Sequence, residues 1–314
     1  MKKVFRFGVL FILALFGLSL TINGGCISKE IEQPIIEEPI IEEPIVEEVV
    51  SDNISDIAVE ETIVEEVVLP ESIDYSYILH AGGITPNGDI GSNSIEATEN
   101  SYNKGYRVIE IDFCWTLDGE LACVHDWGGY YGRMYGNRPL TSEEFEEARN
   151  STYGFTSFTL DHLCEWLKEH KDVVIVTDIK ENCVKGARMI AEKYPELKDN
   201  FCIQMYDKSE YEELSNLGFN KIIWTLYQLS WNEKTDTKSI VSFAKTHKLE
   251  GITFAAELVN LVPNYVKKLK EANVPLFVHT VNDYNSQTKY LNMGITGIYT
   301  DFGEAKMVDD WKVK

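Results

Sequence analysis

From Tyr75 onward, short apolar runs rich in Ile, Val and aromatic residues alternate with longer stretches whose apolar positions recur every three or four residues. The runs read as strands: "YSYILHAGG", "RVIEIDFCW", "DVVIVTDIK", "NFCIQMY", "KIIWTLYQL", "GITFAAEL", "VPLFVHTVN" and "GIYTDF". The stretches between them, such as "VKGARMIAEKYPEL" and "TKSIVSFAKTHK", read as amphipathic helices. Eight strands with intervening helices over residues 75–314 predict an α/β chain folded as a single (β/α)8 TIM barrel. An open doubly wound sheet is the competing arrangement, weakened by the lack of a Gly-x-Gly-x-x-Gly turn after the first strand. The alternation breaks once. After the second strand, "TLDGELACVHDW" carries an Asp118-Gly119 turn, which predicts a hairpin. The helix of that unit is then delayed to "TSEEFEEAR" or "TLDHLCEWLKEH", so residues 117–158 form a small insertion at the barrel mouth.

Before Tyr75 the pattern is different. Residues 27–74 repeat Ile/Val, Glu-Glu and Pro, with sixteen Asp or Glu against the one cation Lys29. Recurrent proline blocks regular helix and the glutamates repel, which predicts a disordered acidic tether. Residues 1–26 place Lys2, Lys3 and Arg6 before an apolar stretch from Val9 to about Ile22, then small residues and Cys26. That is the layout of an export signal or membrane anchor. "NGGC" resembles a lipobox, in which Cys26 would become the lipidated N-terminus, although Asn23 stands where Leu is usual. Lipidation, an uncleaved anchor helix and ordinary signal cleavage all put the remainder outside the cytoplasm, tethered to the outer face of the membrane or secreted.

The net charge of −22 argues against a nucleic-acid partner, which needs a basic patch, and suits a divalent cation. With 44% hydrophobic and 11% aromatic residues the chain can build a core without staples. Beyond Cys26 five cysteines remain, none in a Cys-x-x-Cys pair, so a zinc site has no support. Cys114 and Cys123 flank the turn and could pair across it, but small buried hydrophobes explain them as well.

The chemistry gathers at strand ends. Glu110 and Asp112 stand two apart, so on a strand they share a face, and in a parallel barrel that face lines the mouth. Two close carboxylates repel unless one is protonated or a cation lies between them. Asp178 and Lys180 repeat the spacing at the end of the third strand. Asp178 could complete an oxygen-rich site for Ca²⁺ or Mg²⁺, and Lys180 could meet an anionic substrate. The bland alternative for each pair is a barrel-mouth salt bridge. His80 ends the first strand and His125 follows the hairpin, which suggests a general acid and general base, with metal ligation by either left open.

At these residues the chain resembles the glycerophosphodiester phosphodiesterase family, part of the phosphatidylinositol-phospholipase-C-like phosphodiesterase superfamily. The carriers are "HAGG", then "NSIEATENSYNKGYRVIEIDFCWTLDGELACVHD", "VHTVND" and "GITGIYTDF", spanning roughly residues 80–303. The resemblance implies that His80 and His125 trade protons while Glu110, Asp112 and Asp178 bind a divalent cation. Ala81 departs from the family's arginine, Ser92 from its glutamate, and Asp178 is one methylene shorter than its usual Glu. The last change resembles sphingomyelinase D and phospholipase D toxin-like barrels, which are lyases releasing a cyclic phosphate. His279 stands where the family often carries Trp and either contacts substrate or packs. Trp127 either joins an aromatic rim for a lipid or glycerol moiety or packs its own loop.

The expected function is a surface-tethered, metal-dependent phosphodiesterase that cleaves glycerophosphodiesters or lysophospholipid-like substrates to an alcohol and a glycerol phosphate. A lyase giving a cyclic product is the alternative within enzymes. A non-catalytic surface binding barrel is the alternative outside them, and it has no need of two histidines and three acids together.

Overall fold

The computed structural model describes residues 69–70, 72–148 and 155–304; the anchor expected over 1–26 and nearly all of the tether expected over 27–74 lie outside them. All eight runs become strands of one ring: β1 (Tyr77–Leu79), β2 (Val108–Trp115), β4 (Val174–Ile179), β5 (Phe201–Met205), β6 (Ile222–Thr225), β7 (Gly251–Ala255), β8 (Leu276–His279) and β9 (Gly297–Thr300). Neighbours run parallel throughout, and β1 pairs with both β9 and β2, so the ring is closed and the open-sheet alternative is excluded. β3 (Leu121–Cys123) stands outside the ring, antiparallel to β2 across the predicted turn, with Trp115 opposite Leu121.

Strand periodicity sorts the side chains into two layers. One set faces the helices: Ile109 and Ile111, Ile175, Ile203, Trp224, Ile252 and Val278 pack with helix residues such as Leu163, Ala187, Ile190, Leu214 and Ile240. The alternate set fills the ring, where Ile78, Val108, Val174, Val176, Cys202, Ile223 and Phe277 form an apolar floor. Two or four residues further along the same strands, the same face carries His80, Glu110, Asp112, Asp178, Lys180, Gln204, Tyr206, Thr225, Tyr227 and His279, which line one cavity. The barrel is therefore apolar at its base and ionisable at its C-terminal mouth.

Both candidate helices of the delayed second unit form. Leu160–Glu169 is the crossover helix, since Leu163 and Leu167 enter the main core. Ser142–Ala148 stays with the insertion, where Phe145 and Ala148 pack on Ala122, Val124, Tyr131 and Leu140. The short helix Tyr130–Tyr135 has no counterpart in the sequence pattern. Cys114 and Cys123 are both free thiols. Phe113, not Cys114, faces Cys123 across the ladder, so the two sulfurs point to opposite faces and cannot bridge.

Candidate active site

The mouth cavity, of about 190 Å³, draws its walls from nearly every strand of the ring. Its deepest charges are Glu110 and Asp112, 2% and 1% exposed. Parallel register sets Asp112 beside Asp178, while Glu110, two residues earlier, faces Val176. Lys180 Nζ then donates to Asp112 Oδ1 at 2.5 Å and to Asp178 Oδ2 at 2.9 Å. Burial opposes the ammonium's charge, but the two carboxylates outweigh it and hold the lysine ionised. Tyr206 donates its hydroxyl to Asp178 Oδ1.

Local backbone geometry fixes the acids. After β1 the chain turns tightly through His80–Gly82, with Ala81 in the left-handed region at φ 50°. That turn aims the Ala81 N–H at Glu110 Oε2, 2.7 Å away. Asn93 clamps Asp112 from two sides, its Nδ2 donating to Oδ2 at 3.0 Å and its Oδ1 accepting the Asp112 N–H at 2.9 Å. Ser94 caps the helix Ile95–Asn103 that holds this segment in place. Ser92 binds Ser94, its hydroxyl 2.9 Å away, and takes no part in lining the cavity.

The two carboxylates differ electrostatically. Burial and then the neighbouring Asp112 charge push Glu110 up to about 8. Asp112 is buried too, but the Lys180 charge and hydrogen bond hold it below the usual range. Asp178 is raised, chiefly by burial. Donor atoms of His80, Glu110 and Asp112 lie within 4.8 Å of one another. Buried carboxylate oxygens at this separation, one of them destabilised by its neighbour's charge, fit a hard divalent cation.

His80 Nδ1 donates to Asp301 Oδ1 at 2.7 Å, and Asn282 Nδ2 donates to the other oxygen at 2.5 Å. Burial works against an imidazolium here, but the Asp301 hydrogen bond with the charges of Glu110, Asp301 and Asp112 outweighs it and pushes His80 up to about 9. His125 reaches the same cavity from the segment after β3. Its Nδ1 pairs with Asp126 Oδ2 at 2.8 Å, while Asp126 Oδ1 accepts the N–H groups of Gly128 and Gly129. Each histidine thus has one ring nitrogen tied to a carboxylate that sets its orientation.

Of the residues singled out in the sequence, His80, Glu110, Asp112, His125, Asp178, Lys180 and His279 come together here. Trp127 does not: it packs on Tyr131 and Phe145 and donates its indole N–H to the Trp115 carbonyl, inside the insertion. His279 Nδ1 lies 3.1 Å from Thr253 Oγ1, while Nε2 is buried with no hydrogen bond among the described residues. Asp301, Asn282, Tyr206, Tyr227, Gln204 and Tyr299 escaped the sequence reading. Asp301 had a signal, because β1 closes on β9 with Leu79 opposite Thr300, which makes His80 and Asp301 the next pair.

A model of the glycerophosphoryl diester phosphodiesterase family matches residues 81–305. No curated protein sequence matches the chain. Among solved structures it is similar to a glycerophosphodiester phosphodiesterase from Thermotoga maritima, with TM-score 0.58 and 19% identity over 77% of this chain and 99% of that one. An enzyme of the same name from Parabacteroides distasonis gives TM-score 0.58 and 19% identity over 77% and 97%. An Oleispira antarctica phosphodiesterase in complex with the product sn-glycerol-3-phosphate gives 0.53 and 15% over 76% and 97%.

Proposed function

The chain belongs to the glycerophosphoryl diester phosphodiesterase family, and on that footing we propose that it hydrolyses glycerophosphodiesters to an alcohol and glycerol phosphate at this mouth. The observation that carries the reading is the convergence of His80, His125, three carboxylates and Lys180 on one cavity. Glu110, Asp112 and Asp178 would hold Ca²⁺ or Mg²⁺, which supplies Lewis-acid neutralisation of the diester oxygens when bound. Lys180 adds a fixed positive charge beside the acids and takes over part of the phosphate contact that Ala81 cannot make. His125 removes the proton from the attacking hydroxyl. His80, kept protonated by Asp301, delivers a proton from Nε2 to the leaving alcohol. A glycerol phosphate moiety is the product named for the Oleispira antarctica relative, and it supports the same product here.

Turnover of glycerophosphocholine and glycerophosphoethanolamine by the full chain, read by phosphorus NMR with Ca²⁺, Mg²⁺ or chelator, tests the reading. Cation-dependent release of glycerol phosphate, lost in both His80→Ala and His125→Ala, is expected. A persistent cyclic phosphate would instead favour the lyase chemistry hinted at by Asp178. A folded protein with no turnover of any glycerophosphodiester would sink the activity.

The N-terminal region extends the proposal to location. Residues 1–26 would anchor the enzyme and the acidic segment that follows would space it from the membrane's outer face. Membrane fractionation of wild type and Cys26→Ser is the check: lipid anchoring at Cys26 requires the variant to leave the membrane fraction.

A further inference from the structure

Among the described residues, eight large hydrophobic side chains are exposed, and seven of them share one face of the barrel. In a parallel ring, connections that leave a strand emerge at the mouth, and those that lead into the next strand lie at the base. Ile90 follows β1, Leu117 and Met134 belong to the insertion after β2, Tyr227 and Trp231 follow β6, Leu261 follows β7 and Tyr284 follows β8. All seven are 44–63% exposed. At the base the eighth, Met293, stands alone, just past the helix Tyr284–Asn292. Single exposed apolar residues scattered over a surface call for no explanation, but seven of eight on one face do.

Their exposure is built into the backbone. The Ser230 hydroxyl accepts the Glu233 N–H and fixes the start of the helix Trp231–Thr235, whose first residue is Trp231. Asp283 Oδ1 accepts the Ser286 N–H at 2.9 Å and does the same for the helix that Tyr284 begins. The Leu117 N–H donates to the Leu140 carbonyl at 2.8 Å, and the Gly119 N–H closes the hairpin on the Thr116 carbonyl at 3.1 Å.

The make-up of this face says what would cover it. In the ring β6, β7 and β8 are neighbours, as are β1 and β2, so the seven side chains form two arcs beside a charged cavity. That is unlike the continuous apolar centre of a protein interface. Three of the seven are Tyr or Trp, whose apolar rings and polar edges suit the boundary between water and lipid. Among the described residues the same connections carry three fixed cations, Arg133, Arg138 and Lys234, outnumbered by acids that include Asp118, Glu257 and Asp283. Such a balance disfavours an anionic surface. An extended chain the length of residues 27–74 reaches about 150 Å, which lets the mouth meet the membrane that would hold residues 1–26. We propose that the mouth face docks on a zwitterionic lipid surface, with these side chains entering the headgroup boundary. The inference makes no use of the phosphodiesterase reading and is tested without turnover.

The experiment adds the full chain to phosphatidylcholine vesicles with brominated acyl chains and compares tryptophan emission with that in unbrominated vesicles. Residues 1–26 contain no tryptophan, so an inserted N-terminus cannot supply the signal. Wild type is expected to be quenched, and Trp231→Phe to lose more than half of that quenching. Leu261→Asp and Tyr284→Asp, which keep Trp231 but charge other connections of the same face, are each expected to remove most of it. Met293→Asp, at the base, is expected to preserve it. An unquenched wild type overturns the proposal, as does quenching that survives intact in Trp231→Phe or in both mouth aspartates. Quenching that appears only when phosphatidylglycerol is added overturns the zwitterionic assignment. A lipid-free oligomer that Leu261→Asp disperses in sedimentation velocity overturns the lipid occupant and gives the face to a second copy of the chain.

Discussion

At the scale of single residues, two histidines of one cavity are driven in opposite directions by their surroundings. His80 has Asp301 on Nδ1 and carboxylates nearby, so it keeps its proton up to about pH 9. Asp301→Asn leaves an amide of the same shape but removes the charge, so the protonated form loses support. Activity is expected to fall by about 10²-fold, and the alkaline limb of the kcat/KM profile to move to lower pH. A purely structural role for Asp301 would depress the profile evenly without moving that limb. His279 is the reverse case: burial, then the charge of His80, lowers it to about 4. The unfolded chain takes up that proton near 6.5, so the stabilisation from keeping His279 neutral is complete above that pH and is lost as pH falls towards 4. Between pH 7 and 5 wild type should lose about 2 kcal/mol more of unfolding free energy than His279→Gln. Urea denaturation at the two pH values measures it, and parallel losses in the two proteins would mean that His279 is not the group titrating.

At the scale of elements, the strand ends carry the site and the turns aim it. The turn after β1 has little room. Gly83 adopts φ 91°, its N–H closes the turn on the His80 carbonyl at 2.8 Å, and a Cβ there would overlap the Ser101 hydroxyl. That hydroxyl donates to the buried Gly82 carbonyl at 2.7 Å, so it has no free direction in which to retreat. Gly83→Ala should cost about 1–3 kcal/mol and reduce activity through His80, read as a fall in melting temperature and in kcat. Gly88, at φ 96° with nothing within 4 Å, is the control, and Gly88→Ala should cost less and spare activity. Strand positions were legible because β-rich apolar runs and period-two alternation act locally, as "RVIEIDFCW" and β2 illustrate. Alternation alone also places Glu110 with Asp112 and Asp178 with Lys180. The bond from Tyr206 to Asp178 and that from Asp301 to His80 were not legible in the same way. They depend on how strands of different units are placed side by side, β5 on β4 and β9 on β1, which no local pattern sets. Trp127 shows the other limit, since an aromatic in an insertion serves a local cluster or a substrate equally well until its neighbours Tyr131 and Phe145 are placed.

At the scale of the whole molecule, closing the ring crowds acids contributed by distant segments into a space that water barely reaches, and that has a thermodynamic consequence. Without a cation, Glu110 is a buried carboxyl pushed up to about 8, first by burial and then by Asp112. Its ionised form is an expense that the rest of the fold must offset. Glu110→Gln keeps an oxygen to accept the Ala81 N–H and discards the charge. In chelator at neutral pH or above, the variant should therefore be at least as stable as wild type. With Ca²⁺ or Mg²⁺ present the order should reverse, because a cation that binds only the folded state stabilises it by about 2.7 kcal/mol at a hundred times its dissociation constant. For a domain of this size that is a rise of roughly 5–10 °C in melting temperature, which the variant, having lost an ionised ligand, should show weakly or not at all. Thermal unfolding of the two proteins in chelator and in cation is thus a stability readout independent of catalysis. A crossing of the two orders would place the cation among these acids. If wild type is instead the more stable protein in chelator, Lys180 already neutralises the cluster and the carboxylates need no metal to coexist.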